Sequence, residues 1–124
     1  MRLPALLAVC MALTGCGQAS AAAIDPRDDI HCSVLAFYFH GFAQHHGMPA
    51  AQIKAAQAVH DWYAARMRAV AGERWSDMAS FEKETAPVLE TIKADPLAMR
   101  DEFAACTQRA AADPAFNKHA RAYR

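Results

Sequence analysis

The feature that most constrains the fold is the spacing of apolar side chains across residues 25–124, which recur every three or four positions. That spacing is typical of amphipathic helices, and no segment alternates apolar and polar residues as a half-buried strand does. Acidic cap residues, prolines and glycines divide the region into segments of helical length. The sequence therefore predicts one all-α domain over residues 25–124.

Five helical segments are expected: residues 28–46, 49–71, 76–94, a fourth from Asp95–Pro96, and a short last one from 113 to about 123. Gly72 is expected to close the second segment, as glycine commonly does after a helix. Pro87 lies inside the third pattern, so that helix should be kinked or split, with a break near Thr85. Short loops between four main helices favour a small antiparallel bundle.

The inward face of each segment follows from the same spacing. Thirty of the 124 residues are alanine, which favours helix but buries little area, so few side chains can supply bulk. The expected inward side chains are Cys32, Leu35, Phe39 and Phe42; then Ile53, Ala56, His60, Tyr63, Met67 and Val70; then Met78, Phe81, Leu89 and Ile92; and last Met99, Phe103, Cys106 and Ala110.

The first sixteen residues form an export signal. Arg2 supplies a positive start, and residues 3–13 form an apolar run of signal-peptide length, too short for the roughly 20 residues of a membrane-spanning helix. The run ends in Leu13-Thr14-Gly15-Cys16, which resembles the lipobox of bacterial lipoproteins. The resemblance implies removal of a signal peptide (residues 1–15) and diacylglycerol on the sulfur of Cys16, with a further acyl chain such as palmitate on its amino group. Two or three chains anchor a protein stably.

Residues 16–24 are small and polar and are expected to form a flexible tether between lipid and domain. Gly17 is not the aspartate that resembles an inner-membrane retention signal, so the implied location is the outer membrane, facing the periplasm. The alternative is ordinary cleavage after Ala19-Ser20-Ala21, which would release a soluble periplasmic protein.

The cysteine count depends on that leader. Cys10 is lost with the signal peptide and Cys16 carries lipid, which leaves Cys32 and Cys106 in an oxidising compartment. These two are therefore expected to form a disulfide. The competing interpretation is a reactive thiol at Cys32, beside His31.

Five of the six histidines fall between His31 and His60, which raises the question of a metal or haem site. His40, His45, His46 and His60 could supply ligands. However, the sequence contains no H-E-x-x-H, no paired Glu-x-x-His and no C-x-x-C-H motif, so we expect no metal and no cofactor. A partly positive imidazole at 45 or 46 is also favoured by the end of a helix without any ligand.

Aromatic side chains concentrate in residues 37–42, which could line an apolar pocket or an interface, or could simply fill the core of a small bundle. The candidate ligand or interface residues are Phe37, Phe39, His40, Phe42, His60 and Tyr63. Trp62 and Trp75 flank three arginines, which suggests either contact with anionic lipid headgroups or a solvated face with aromatics beneath arginine stems.

The sequence leaves two functions open. The first is a non-catalytic envelope lipoprotein that is held to the membrane by lipid and binds another envelope protein. The second is a small periplasmic ligand carrier or metal-binding helical domain, indicated if Phe37, Phe39, Phe42 and Tyr63 line one cavity. No catalytic motif such as G-x-S-x-G occurs, and thirteen basic and thirteen acidic side chains balance, so neither an enzyme nor a nucleic-acid-binding protein is expected.

The mass of the protein purified from its native membrane tests the leader and the cysteines together. We expect a chain that begins at Cys16 and carries acyl groups, with two alkylatable thiols that appear only after reduction. A chain that begins near Ala22 without lipid would contradict the anchor, and thiols that react before reduction would contradict the disulfide.

Overall fold

A computed structural model describes residues 25–124, and the predicted signal peptide, the predicted lipidation site at Cys16 and the predicted tether lie outside this region. The described residues are helical and contain no β-strand. The helices are α1 (Asp29–His45), α2 (Ala50–Arg74), α3 (Met78–Ala94), α4 (Arg100–Ala111) and α5 (Pro114–Ala120), followed by a 3-10 turn over Arg121–Tyr123. The predicted all-α fold class is confirmed. Within this region no helix is long and apolar enough to cross a membrane.

Two predicted helix starts are confirmed with their capping bonds. The Asp28 carboxylate accepts a hydrogen bond from the Ile30 amide, and the Asp113 carboxylate accepts one from the Ala115 amide. Each satisfies an amide that has no partner within its own helix. The predicted end of α1 is also found, because Gly47 follows it with a φ of +59°, a conformation that glycine adopts at little cost.

The predicted end of α2 at Ala71 is wrong, because the helix continues through Gly72 to Arg74. Side-chain contacts hold the extra turn. The Arg74 guanidinium pairs with Glu84 of α3 and lies 3.6 Å from Asp28, and the indole N–H of Trp75 donates to Glu84. Glycine is a poor helix residue by only about 1 kcal/mol, which these contacts offset.

The predicted division of the third helix near Thr85 is also wrong, because α3 is continuous from Met78 to Ala94 with Pro87 inside it. Proline removes one backbone hydrogen bond and costs about 3 kcal/mol in a helix interior. Val88 and Ile92, one and five residues later, are both buried in the core. Their burial stabilises the second half of α3 as a continuation of the first.

The fourth helix begins four residues later than predicted, at Arg100 rather than after Asp95. Asp95 instead ends α3, and its side chain accepts from the amide of Ala98 to form a turn. The sequence therefore predicted the capping hydrogen bond of Asp95 correctly. The turn that this bond stabilises does not continue as α-helix, because α4 begins only at Arg100.

The core forms where all five helices contribute to a small set of buried side chains: Cys32, Leu35, Ala36, Val59, Tyr63, Val88, Ile92, Cys106, Ala110 and Phe116. Most predicted inward positions are buried or half-buried. Val70 and Met78 are corrections, since both are exposed. Val70 lies in the last two turns of α2, and Met78 is the first residue of α3.

Cys32 and Cys106 lie at disulfide distance, with sulfur atoms 2.05 Å apart and 74 positions between them in sequence. The expected pairing is confirmed. Both side chains are fully buried, and the hydroxyl of buried Tyr63 donates to the backbone carbonyl of Cys106 at 2.5 Å. Helices α1, α2 and α4 are thus joined at one point in the core.

A polar network continues from that point to the surface. Arg109 of α4 donates to Tyr63 at 3.3 Å, to the backbone carbonyl of Arg27, and to Asp29 at 2.6 Å. Arg66 of α2 donates to the same Asp29 carboxylate at 2.9 Å. The first turn of α1 is therefore bound to both α2 and α4.

Removal of the covalent link should measure its contribution. The double variant Cys32→Ala/Cys106→Ala should lose about 2–4 kcal/mol of unfolding free energy, because the bond restricts the unfolded chain over a long loop. Denaturant unfolding followed by circular dichroism gives the value, and the wild-type protein in reductant is the matched control. Equal stability of the oxidised, reduced and double-variant proteins would contradict this role.

Candidate functional site

An apolar groove crosses the surface of α1 between α2 and α3. It consists of two adjoining depressions of about 480 and 400 Å³ that share Ser33, Met67 and Phe81. We call this surface the α1 groove. Its lining is Ser33, Val34, Phe37, His60, Ala64, Met67, Arg68, Ala71, Gly72, Trp75, Asp77, Met78, Phe81, Glu82, Thr85, Ala86 and Leu89.

The groove exists because of how the helices are arranged. Both α2 and α3 pack against α1, but their backbones do not approach each other closely within the described chain. The space between them is therefore closed from below by α1 alone. Small side chains keep it open: Ser33 lies in the floor, and Ala64 and Ala71 line the wall that α2 provides.

Large apolar side chains mark both ends of the α1 groove. Phe37 is 61% exposed at one end and Met78 is 67% exposed at the other. Single exposed apolar residues are common on protein surfaces, whereas a connected apolar patch marks a contact site. Here the two residues lie in a continuous apolar surface, which makes the groove the leading candidate for a binding site.

Charges border the two walls asymmetrically. Arg68 lies on the α2 side, and Asp77 and Glu82 lie on the α3 side. Hydrogen bonds from the backbone and the hydroxyl of Ser80 lower the pKa of Asp77 below its ordinary value, which keeps this carboxylate ionised at neutral pH. The groove thus has a basic and an acidic rim around an apolar floor.

The predicted candidate residues are brought together only in part: Phe37, His40 and Phe42 line one open depression of about 540 Å³ on α1, whereas Phe39 and Tyr63 do not. Phe37 and His60 line the α1 groove, with ring centroids 5.9 Å apart. Phe39 and Phe42 line a separate cavity farther along α1. Tyr63 is 1% exposed and belongs to the core. The single cavity that would have combined these four aromatic residues is therefore not formed.

His40 and His60 are neighbours but do not form a metal site. Their rings stack with centroids 6.0 Å apart, and Nε2 of His40 is buried without a hydrogen-bond partner among the described atoms. Nearly parallel rings at this separation do not direct two ring nitrogens at one ion. Across residues 25–124 no group of three or more His, Cys, Asp or Glu side chains is placed to hold a metal.

His60 instead belongs to a small polar cluster on α2. Its Nδ1 lies 3.0 Å from Asp61, and the Tyr123 hydroxyl donates to the same carboxylate at 2.6 Å. Burial raises the pKa of Asp61, but these two hydrogen bonds outweigh it and lower the pKa below its ordinary value. The bond to Asp61 raises the pKa of Tyr123 to about 12. The cluster fastens the end of the chain to α2.

The geometry around the two tryptophans favours a solvated face with aromatic rings beneath arginine stems over a site for lipid headgroups. Arg66 lies 6.0 Å from the ring centre of Trp62, and Arg74 lies 5.6 Å from that of Trp75. Both arginines also pair with acidic side chains, so their charge is balanced within the domain. Arginine stems thus cover the aromatic rings.

Sequence reasoning missed most of the α1 groove. Met67 and Phe81 were expected to face inward, and they do so partly, but Ser33 carried no signal at all. The spacing of apolar residues in the sequence shows which face of a helix is apolar. The groove depends instead on which pairs of helices are in contact. Of the candidate residues taken from the sequence, Phe37 and His60 line the groove.

Comparison of the chain with protein-family models, with curated proteins and with solved structures finds no match. The function must therefore be argued from the geometry of the site.

The Asp61–Tyr123 bond can be tested by titration. Tyr123 should titrate at about 12 in the folded protein, and Asp61→Asn should return it towards 10.0 because the carboxylate charge is removed. The pKa of Tyr123 is higher in the folded than in the unfolded protein, so the bond contributes fully to folding stability at pH values below 10.0. This contribution is lost as the pH rises through about 12. Carbon NMR of labelled tyrosine, assigned with Tyr123→Phe, reports the value. An unchanged titration in Asp61→Asn would show that the bond does not form in solution.

Proposed function

We propose that this chain is a non-catalytic envelope lipoprotein, anchored through lipid on Cys16, whose helical domain binds a partner protein in the α1 groove. The anchor is supported by the Leu13-Thr14-Gly15-Cys16 motif and by the small polar tether that follows it. The helices of the described region and the buried Cys32–Cys106 pair support the small antiparallel bundle that we propose for the domain. The observation that carries the binding role is the continuous apolar groove with Phe37 and Met78 exposed at its ends.

The shape of the groove selects an amphipathic helix as its occupant. Two walls are helices and the floor is a third, which is the geometry in which partner helices insert side chains at positions i, i+3 or i+4, and i+7. Met67 and Phe81 stand at the junction of the two depressions. Methionine adapts its shape to different partners, which suits a contact surface.

The charges on the rims set the orientation of that helix. A partner with acidic residues towards Arg68 and basic residues towards Asp77 and Glu82 would be complementary, and one in the reverse direction would bring like charges together. Exposed ion pairs each contribute at most about 1 kcal/mol, so they determine orientation and partner choice more than affinity. Burial of the apolar face supplies the affinity.

The partner can be located by photo-crosslinking in cells. A photoreactive residue in place of Phe37 or Met78 should give the same crosslinked envelope protein, because both positions are exposed at the groove. Lys118 on α5 is the matched exposed control and should give none. Met67→Glu should abolish the crosslink from position 37 without a large change in thermal stability, since Met67 is half-buried at the groove surface.

A synthetic peptide spanning the crosslinked segment then tests the orientation. Arg68→Glu should weaken its binding about three- to fivefold, and reversal of the facing acidic residue in the peptide should restore it. Equal crosslinking from Lys118, a crosslink only to a second copy of this chain, or a crosslinked segment that is not an amphipathic helix would overturn the proposal.

A further inference from the structure

A second apolar cavity lies farther along α1, between the end of α1, the start of α2 and the segment that joins α3 to α4. It has a volume of about 360 Å³ and shares no lining residue with the α1 groove. We call it the distal cavity. Its lining is Phe39, Phe42, Ala43, Met48, Gln52, Ala55, Ala56, Val59, Pro96, Leu97, Arg100, Phe103 and Thr107.

The distal cavity is open because aromatic rings on one side meet alanines on the other. Phe39 and Phe103 stack with centroids 4.9 Å apart and form one wall. Ala55 and Ala56 of α2 form the opposite wall and are too small to fill the space between. The cavity opens to solvent at one side, and its largely apolar lining is suited to an apolar ligand.

The polar groups at this cavity are few and lie at its edge. The hydroxyl of Thr107 is already bonded to the carbonyl of Phe103 at 3.0 Å. The remaining two are the amide of Gln52 and the guanidinium of Arg100, both on exposed residues. Arg100 makes no ion pair with any described residue, unlike Arg66, Arg74 and Arg109.

Arg100 is also in an unusual place for a cation. It is the first residue of α4, where the helix dipole favours negative charge, and Met99 before it supplies no capping side chain. Asp101 and Glu102 follow it in the same turn, but neither lines the cavity. Among the residues that line the distal cavity, the charged side chain is therefore that of Arg100.

We infer that the distal cavity binds a single-chain fatty acid, with the hydrocarbon chain between Phe39, Phe103 and the alanine wall and the carboxylate at Arg100. The volume is at the lower end of the range for ligand pockets, which fits one chain and not a two-chain lipid. Leu97, 77% exposed beside the mouth, covers the chain where it enters. This site is independent of the α1 groove, and either can fail without the other.

The test uses the exported protein with its disulfide intact and titrates it calorimetrically with dodecanoate. Affinity should rise about fourfold for each methylene added from octanoate to dodecanoate, because each buried methylene contributes a fixed increment. Dodecanol, which has the same chain without charge, should bind about tenfold more weakly, and dodecyltrimethylammonium should not saturate the site.

Variants distinguish the contribution of the carboxylate from that of the hydrocarbon chain of the fatty acid. Arg100→Gln should weaken dodecanoate about tenfold and leave dodecanol unchanged, while Arg121→Gln, at an exposed arginine that does not line the cavity, should change neither. Ala55→Leu should weaken every chain length because it fills the cavity. Methyl NMR signals of Met48 and Leu97 should shift with dodecanoate in the wild-type protein.

Several outcomes would overturn the inference. Equal binding of dodecanoate and dodecanol would remove the role of Arg100, and affinity independent of chain length would indicate surface adsorption. Unchanged binding in Ala55→Leu would place the chain elsewhere. If the Leu97 methyl signals shift with protein concentration in the absence of ligand, the opening of the distal cavity is covered by a second copy of this chain and not by a fatty acid.

Discussion

The fold depends on the junction of Cys32, Cys106 and Tyr63. The disulfide joins the start of α1 to the second half of α4, and the Tyr63 hydroxyl donates to the Cys106 carbonyl, so three helices meet at one buried point. Arg109 extends the junction to Asp29 at the surface. Helix α3 takes no part in it and packs on α1 mainly through Val88 and Ile92. Near the end of α2, Arg74 and Trp75 contact Glu84 of α3, but the backbones of the two helices do not approach each other. The space between them is left unfilled over α1, and this space is the α1 groove.

The sequence predicted helix boundaries well wherever a cap side chain both bonds to the backbone and precedes a regular helix, as Asp28 and Asp113 do. It failed where tertiary contacts outweighed a local preference. Helix α2 continues through Gly72 because Arg74 and Trp75 bind Glu84 of another helix. Helix α3 continues through Pro87 because buried Val88 and Ile92 follow it. Asp95 forms its capping bond but continues only as a turn. Local signals thus identify the bonds, whereas the contacts that decide between stopping and continuing come from residues distant in the chain.

The candidate site was less predictable than the fold, for a geometric reason. Successive helix residues are rotated by 100°, so Phe37 and Phe39 lie about 200° apart around α1. An aromatic segment that reads as one feature in the sequence therefore divides between two surfaces, with Phe37 at the α1 groove and Phe39 at the distal cavity. The pairing of cysteines was predictable because only one combination remained once the leader was set aside. The side chains that line a groove cannot be found by counting in this way, because any residue type can line one.

The abundance of alanine connects stability with function in this domain. Alanine favours helix but leaves hollows where a leucine would fill them, and alanines line both the α1 groove and the distal cavity. In a domain with so little buried bulk, the stabilisation from a covalent link is a larger share of the total, which gives the disulfide its importance. The two hollows also differ in their distance from the first described residue. Ser33 of the groove lies in the first two turns of α1, whereas Ala43 of the cavity lies near its end, about 15 Å farther along the helix axis. The two hollows share no lining residue, so a partner helix and a fatty acid would bind without competing for one surface.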